Sequence, residues 1–229
     1  MQPLPEEETS SPTAEPVAVV DIANTANIAA AAAPPPARKR PKPGERRVQI
    51  LQTLAAMLEQ PGGERVTTAA LAARLDVSEA ALYRHFASKA QMFEGLIEFI
   101  EQSVFTLVNQ VLDRDAPARD KAARIVSLLV QFAEKNPGMT RVMVGDALVY
   151  ENERLQSRMN QFFDKLESML RQALRDAATA GGSATPTVDA QVRASALAAF
   201  VAGRLQRYAR SGFRRLPSEH LEASIALML

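Results

Sequence analysis

A chain of 229 residues, 47% hydrophobic and 23% charged, is long enough for one or two domains with a sizeable core, which excludes a stapled mini-protein. It holds no cysteine and only His85 and His220, so disulfides, thiolate catalysis, Cys-based zinc and a histidine-rich metal centre lack their raw material. The formal net charge of +1 hides a local excess: Arg38, Lys39, Arg40, Lys42, Arg46 and Arg47 stand against Glu45 alone, a candidate anion-binding arm or else a solvated flank.

Residues 1–44 contain nine of the fourteen prolines and no aromatic residue, a composition that cannot bury enough apolar surface to offset ordering entropy. A disordered tail is expected there. Its early Glu6, Glu7 and Glu8 are unlike the basic start of a secretory signal, so export is not expected. The longest apolar run, Ile28 to Pro36, is an Ala/Pro tract too short to span a bilayer, and no membrane anchor is expected.

From Glu45 onward the apolar spacing is helical and no stretch sustains a period of two, so the fold class is all-α. The first helix carries Ile50, Leu51, Leu54 and Leu58 on one face and stops at Pro61-Gly62-Gly63. A short helix follows over about Thr68–Leu75 with Thr67 as N-cap, and another over Ser78–Phe86. Ser88 caps a long helix whose stripe is Met92, Phe93, Leu96, Ile97, Ile100, Val104, Leu107 and Val111. About 24 residues at 1.5 Å each make it roughly 36 Å long, enough to join two domains.

Pro117 opens a helix that packs through Ile125, Leu128, Leu129 and Phe132 until Asn136-Pro137-Gly138. A short helix over Met139–Val149 comes next, then a long one over Asn152–Ala178 with a heptad-like pattern that suits a bundle helix better than a coiled coil. Ala180–Thr187 is rich in Gly, Ser, Thr and Pro and reads as a mobile loop. The last helices are placed over Val188–Ser211 and from Pro217 onward. The first of them carries Ala194, Ala198, Ala199, Ala202 and Gly203, small residues that suit close helix packing within one chain or across a dimer seam.

The stretch richest in function is Val66 to Lys89. Two short helices with a brief turn between them form a helix-turn-helix, in which Leu71, Leu75, Val77, Leu82 and Phe86 point inward. The second helix then presents Ser78, Ala80, Tyr83, Arg84 and His85 outward. Small Ser78 and Ala80 permit approach to base edges, while Tyr83, His85 and Lys89 can hydrogen-bond phosphates. Thr67 and Thr68 stand at a helix start whose amide donors suit phosphate, with Arg46 and Arg47 on the preceding helix. Taken one by one, a packing tyrosine, a solvated histidine, a surface lysine and a plain N-cap account for Tyr83, His85, Lys89 and Thr67; their order and spacing carry the signal.

These residues resemble the TetR family of bacterial DNA-binding proteins, whose signature Leu-Tyr-x-His-Phe-x-x-Lys stands here as Leu82-Tyr83-Arg84-His85-Phe86-Ala87-Ser88-Lys89. A departure is Asp76, where the family usually has glycine in the turn; aspartate tolerates left-handed backbone better than most residues. The resemblance implies a homodimer, alone or assembled further on DNA, whose last two helices form a four-helix seam and which reads palindromic double-stranded sites. Ser78–Phe86, Leu96–Glu101, Asn136–Arg141 and Arg154–Gln161 are similar, within that family, to its nucleoid occlusion branch, over about Arg46 to Leu229.

That likeness implies a cytoplasmic, nucleoid-associated inhibitor of cell division that binds chromosomal DNA and the tubulin-like protein FtsZ together. The partner face it implies is Phe99, Leu128, Lys135 and Asn136, an apolar and cationic groove suited to an extended acidic tail. Phe99 and Leu128 fit a core equally well, and Lys135 with Asn136 a helix end before Pro137. The expected division is thus a tail over 1–44, a DNA-binding domain over 45–90 and a helical dimerisation and partner domain over 91–229. A ligand-responsive repressor of the same family is the alternative. An enzyme ranks last: no phosphate loop, metal cluster or nucleophile-base spacing occurs, Glu151 and Glu153 read as solvated-face charges, and no cofactor is called for.

Overall fold

The helical spacing returns as nine α-helices in the computed structural model, which describes residues 44–60 and 65–229. The tail, the arm residues Arg38, Lys39, Arg40 and Lys42, and the stop at Pro61-Gly62-Gly63 lie outside the described residues. The helices are α1 (Glu45–Leu58), α2 (Thr68–Arg74), α3 (Glu79–Tyr83), α4 (Lys89–Leu112), α5 (Ala118–Lys135), α6 (Pro137–Met143), α7 (Glu153–Ala180), α8 (Pro186–Arg210) and α9 (Leu221–Met228). No strand occurs among the described residues.

Side-chain oxygens start the first functional helices, at Thr67 and Ser88 as the sequence places them and at Ser78 one residue ahead of α3. Thr67 accepts from the Ala70 amide at 3.1 Å, Ser78 from Ala81 at 3.3 Å and Ser88 from Gln91 at 3.2 Å. Each satisfies an amide that has no partner in the helix ladder. Between α2 and α3 the turn is a Schellman motif. Val77 N–H donates to Ala72 O at 3.0 Å and Asp76 N–H to Ala73 O at 3.1 Å, with Asp76 left-handed at φ 54°. Aspartate therefore makes the turn without glycine.

The helix α4 is the common spine. Every residue of its expected stripe is buried, from Met92 to Val111. Its first turns pack on α1, where a Cβ on Gly95 would meet Leu51 Cδ1 at 3.1 Å, and its later turns pack on α5 and α7. Burying each large apolar side chain stabilises by up to about 2 kcal/mol, so α4 holds both halves to one core. A second joint is α6 on α1: a Cβ on Gly138 would lie 2.0 Å from the Ala55 carbonyl oxygen, so only glycine admits the approach. Arg141 donates across the same joint to Leu58 O at 3.3 Å. On the other side, Arg158 grips Glu101 through two bonds of 2.9 and 2.6 Å, and Arg154 meets Glu94 at 2.6 Å. The Glu101 hydrogen bond, chiefly, raises the Arg158 pKa.

Several boundaries differ from the sequence reading for local reasons. The α3 helix ends at Tyr83 because the His85 and Phe86 amides both close on Leu82 O, at 2.9 and 3.1 Å, before Ser88 takes its extended capping conformation. The segment after α6 is not one helix: Gly145 turns left-handed at φ 84° and only a 3-10 turn, Asp146–Leu148, follows. The loop before α8 shrinks to 181–185 and is tied. Ser183 and Thr185 hydroxyls donate to Asp189 at 2.5 and 3.1 Å, which lowers its carboxyl pKa. The final helix starts at Leu221 rather than Pro217, since His220 is left-handed and Arg204 collects the carbonyls of Pro217 and Glu219.

The small-residue stripe on α8 divides in two. Ala194 and Ala198 are buried, whereas Ala199 and Gly203 lie on an exposed face with Val188, 60% exposed, and Val192, 63% exposed. Leu227 on α9 is 90% exposed.

Candidate nucleic-acid interface

The inward set of the helix-turn-helix is as expected for Leu71, Leu82 and Phe86, each 1% exposed, with Leu75 and Val77 partly buried. That packing turns the other face of α3 to solvent. Ser78, Glu79, Ala80, Tyr83, Arg84 and His85 are all exposed, and Tyr83 keeps 45% of its surface open. With no bulky side chain at 78 or 80, the start of this face can come close to base edges in a major groove.

Cross-element bonds fix the orientation of this face. Thr68 Oγ1 donates to Glu79 Oε2 at 2.6 Å and so ties the start of α2 to the start of α3. Arg47 donates to the His85 carbonyl at 2.9 Å, and its guanidinium stacks 4.1 Å from the Phe86 ring centroid. Arg46 donates to Gln49 on its own helix at 2.8 Å. Arg47 therefore helps position α3 while keeping exposed surface, and Thr67 is engaged as a cap with its residue still exposed.

Lys89 departs from expectation. Its ammonium lies 2.5 Å from Glu151 Oε1 and 5.6 Å from the Phe93 ring centroid, and its side chain is only 18% exposed. Glu151 itself is 8% exposed at the side chain, so it is not the solvated-face charge read from the sequence. The pair joins positions 62 residues apart, and no local pattern announces it. Arg65 shares the same carboxylate oxygen at 3.7 Å and donates to the Tyr150 carbonyl at 3.3 Å. Sequence reasoning missed Arg65 altogether and misread the place of Glu151.

Of the four residues assigned to a protein partner, two have surface to offer. Phe99 is partly exposed and Lys135 is exposed. Leu128 is 3% exposed in the core, and Asn136 is 7% exposed with its amide donating to Phe132 O at 2.8 Å, closing α5. The inward placement of Leu128 and Asn136 corrects the reading that all four line one groove. At the end of α5, Tyr208 of α8 donates to Glu134 O at 3.3 Å; burial first, then the Glu134 and Glu59 carboxylates, push its phenol pKa up.

Among the described residues no group of acidic, histidine or cysteine side chains could hold a metal, and no helix is long and apolar enough to cross a membrane.

Comparison with known proteins agrees with this architecture. Residues 50–96 match the model for bacterial regulatory proteins of the tetR family, and residues 119–229 match a SlmA-like, tetracyclin repressor-like C-terminal domain. The nucleoid occlusion factor SlmA of Photobacterium profundum is 50% identical over 182 residues, covering 79% of this chain and 92% of its own. The protein of that name from Idiomarina loihiensis is 49% identical over 183 residues, 80% of this chain and 93% of its own. Among solved structures, the fatty acid degradation regulator FadR of Bacillus halodurans superposes with a TM-score of 0.67 at 12% identity, covering 83% of this chain and 97% of its own. The TetR family regulator PfmR of Thermus thermophilus gives 0.65 at 21% identity, covering 80% and 95%. At such identities the solved structures speak for the fold alone, whereas the sequence relatives run through both the helix-turn-helix and the bundle. The chain belongs to the TetR family of bacterial regulatory proteins, within its group of nucleoid occlusion factor SlmA homologues.

Proposed function

We propose that paired copies of this chain grip palindromic double-stranded DNA through their α3 helices and, while bound, engage the tubulin-like protein FtsZ and disrupt its filaments over the nucleoid. The observation that carries the reading is the 49–50% identity to nucleoid occlusion factors, which extends over 79–80% of the chain. A generic helix-turn-helix likeness would end near residue 96, where the family model for that unit stops.

In this reading Ser78 and Ala80 face base edges. Tyr83, Arg84 and His85, with Thr67, Thr68, Arg46 and Arg47, take phosphates and set the register. Lys89 joins them once released from Glu151. The α8–α9 face with Val188, Val192, Ala199, Gly203 and Leu227 is the dimer seam, which its exposed apolar surface supports. Phe99 and Lys135 meet an extended FtsZ tail, with Leu128 and Asn136 supporting them from within. The molecule then works without a cofactor or a chemical step, in the cytoplasm on the nucleoid.

The test is sedimentation of GTP-driven FtsZ polymers with the protein, with and without its duplex. Reduced pellets in the presence of both are expected. Undiminished pellets would transfer the chain to the ligand-responsive repressors of its family.

A further inference from the structure

We infer that Glu151 is an internal surrogate for a DNA phosphate: it holds Lys89, and with it Arg65, in the free protein, and a duplex must draw these cations away to bind. The inference rests on the DNA-binding reading above and adds Arg65 to the phosphate-contacting set.

The geometry behind it is compact. Lys89 opens α4, and Arg65 stands just before the Thr67 cap of α2, so both cations sit at the entry of elements assigned to the DNA face. Both point to one oxygen, Glu151 Oε1, at 2.5 Å for Lys89 and 3.7 Å for Arg65. That oxygen comes from the other half of the molecule, on the turn after Asp146–Leu148, anchored by the Glu151 amide on Leu148 O at 3.0 Å. A carboxylate and a phosphate diester offer a lysine or arginine the same acceptor chemistry, so the two compete for it. The contest also couples the halves. A duplex that takes Lys89 releases the 146–151 turn, and by linkage whatever holds that turn alters affinity for DNA.

Phosphate contacts are independent of sequence, so a mixed-sequence duplex is a sufficient probe. Wild type, Glu151→Gln, Lys89→Ala and the double variant are titrated with it across a salt series, with circular dichroism as the check on folding. Glu151→Gln keeps the shape and removes the competing charge. It is expected to bind about fivefold tighter at low salt, the order of one part-buried ion pair. Its plot of log affinity against log salt should keep the wild-type slope, because the same cations neutralise phosphates in both complexes. In the Lys89→Ala background the same change should lose most of its effect. If Glu151→Gln does not fold, Glu151→Asp, with a shorter reach to Lys89, carries the same expectation at smaller amplitude.

Unchanged or weaker binding by folded Glu151→Gln, or a gain that persists in full without Lys89, overturns the inference while wild-type binding leaves the parent reading intact. A wild-type chain with no affinity for any duplex overturns both.

Discussion

Tyr83 combines the two properties a phosphate-gripping residue needs, a fixed backbone and an open side chain, because α3 is stapled by the Ser78 cap and the Thr68–Glu79 bond. Tyr83→Ala should therefore weaken binding to every duplex alike, by roughly 1.5 kcal/mol or about tenfold, the worth of a hydrogen bond to a charged group. Ala80→Leu should instead change which sequences are preferred. Titrations of several duplexes at fixed salt separate the two outcomes. At the joint of the halves, Gly138→Ala forces a methyl onto the Ala55 carbonyl and should cost about 2–3 kcal/mol, read as a fall in the thermal midpoint. What a single residue does was legible where the reason is local. Thr67 and Ser88 cap because a hydroxyl one position before a helical pattern has an amide to accept from, and Asp76 tolerates positive φ. Lys89 was legible as a cation but not as an occupied one, since its partner lies 62 residues away. Leu128 and Asn136 were placed on a surface by likeness alone, and the packing of α5 puts both inside.

At the scale of the element, α4 shows how far a pattern reaches. A serine cap and an unbroken apolar stripe gave its start and its length, and the helix runs over Lys89–Leu112. Ser88→Ala removes the acceptor for the Gln91 amide and should cost about 1 kcal/mol of global stability, measured by urea unfolding. The effect on DNA binding should exceed that loss, because the same cap fixes the backbone that carries Lys89. The elements misjudged are those whose ends depend on distant groups. The α9 start is moved to Leu221 by the Arg204 guanidinium, which gathers carbonyls from the connection before it. The 181–185 loop looked loose by composition, yet Asp189 binds the hydroxyls of Ser183 and Thr185. Composition reports what a segment can do alone; these segments are not alone.

For the whole molecule, the proposed pairing of two copies rests on the exposed apolar face of α8 and α9. Leu227 at 90% exposure and Val192 at 63% are costly to leave in water. Leu227→Glu, or Val192→Glu, should shift the chain toward monomers in analytical ultracentrifugation, and with the second reading head lost, affinity for a palindrome should fall more than affinity for a half-site. The sequence could say that small residues line α8, but not which of them face inward. The packing of α8 on its neighbours, α7 foremost, divides buried Ala194 and Ala198 from exposed Ala199 and Gly203.

The unbroken course of α4 gives the molecule a lever. A rod of about 36 Å tilted by about 5° at one end swings its other end by about 3 Å, close to the step from one base to the next along a strand. A grip on the distal flank that small would re-aim each reading head by one rung of the ladder, and a duplex already seated would hold the flank equally still.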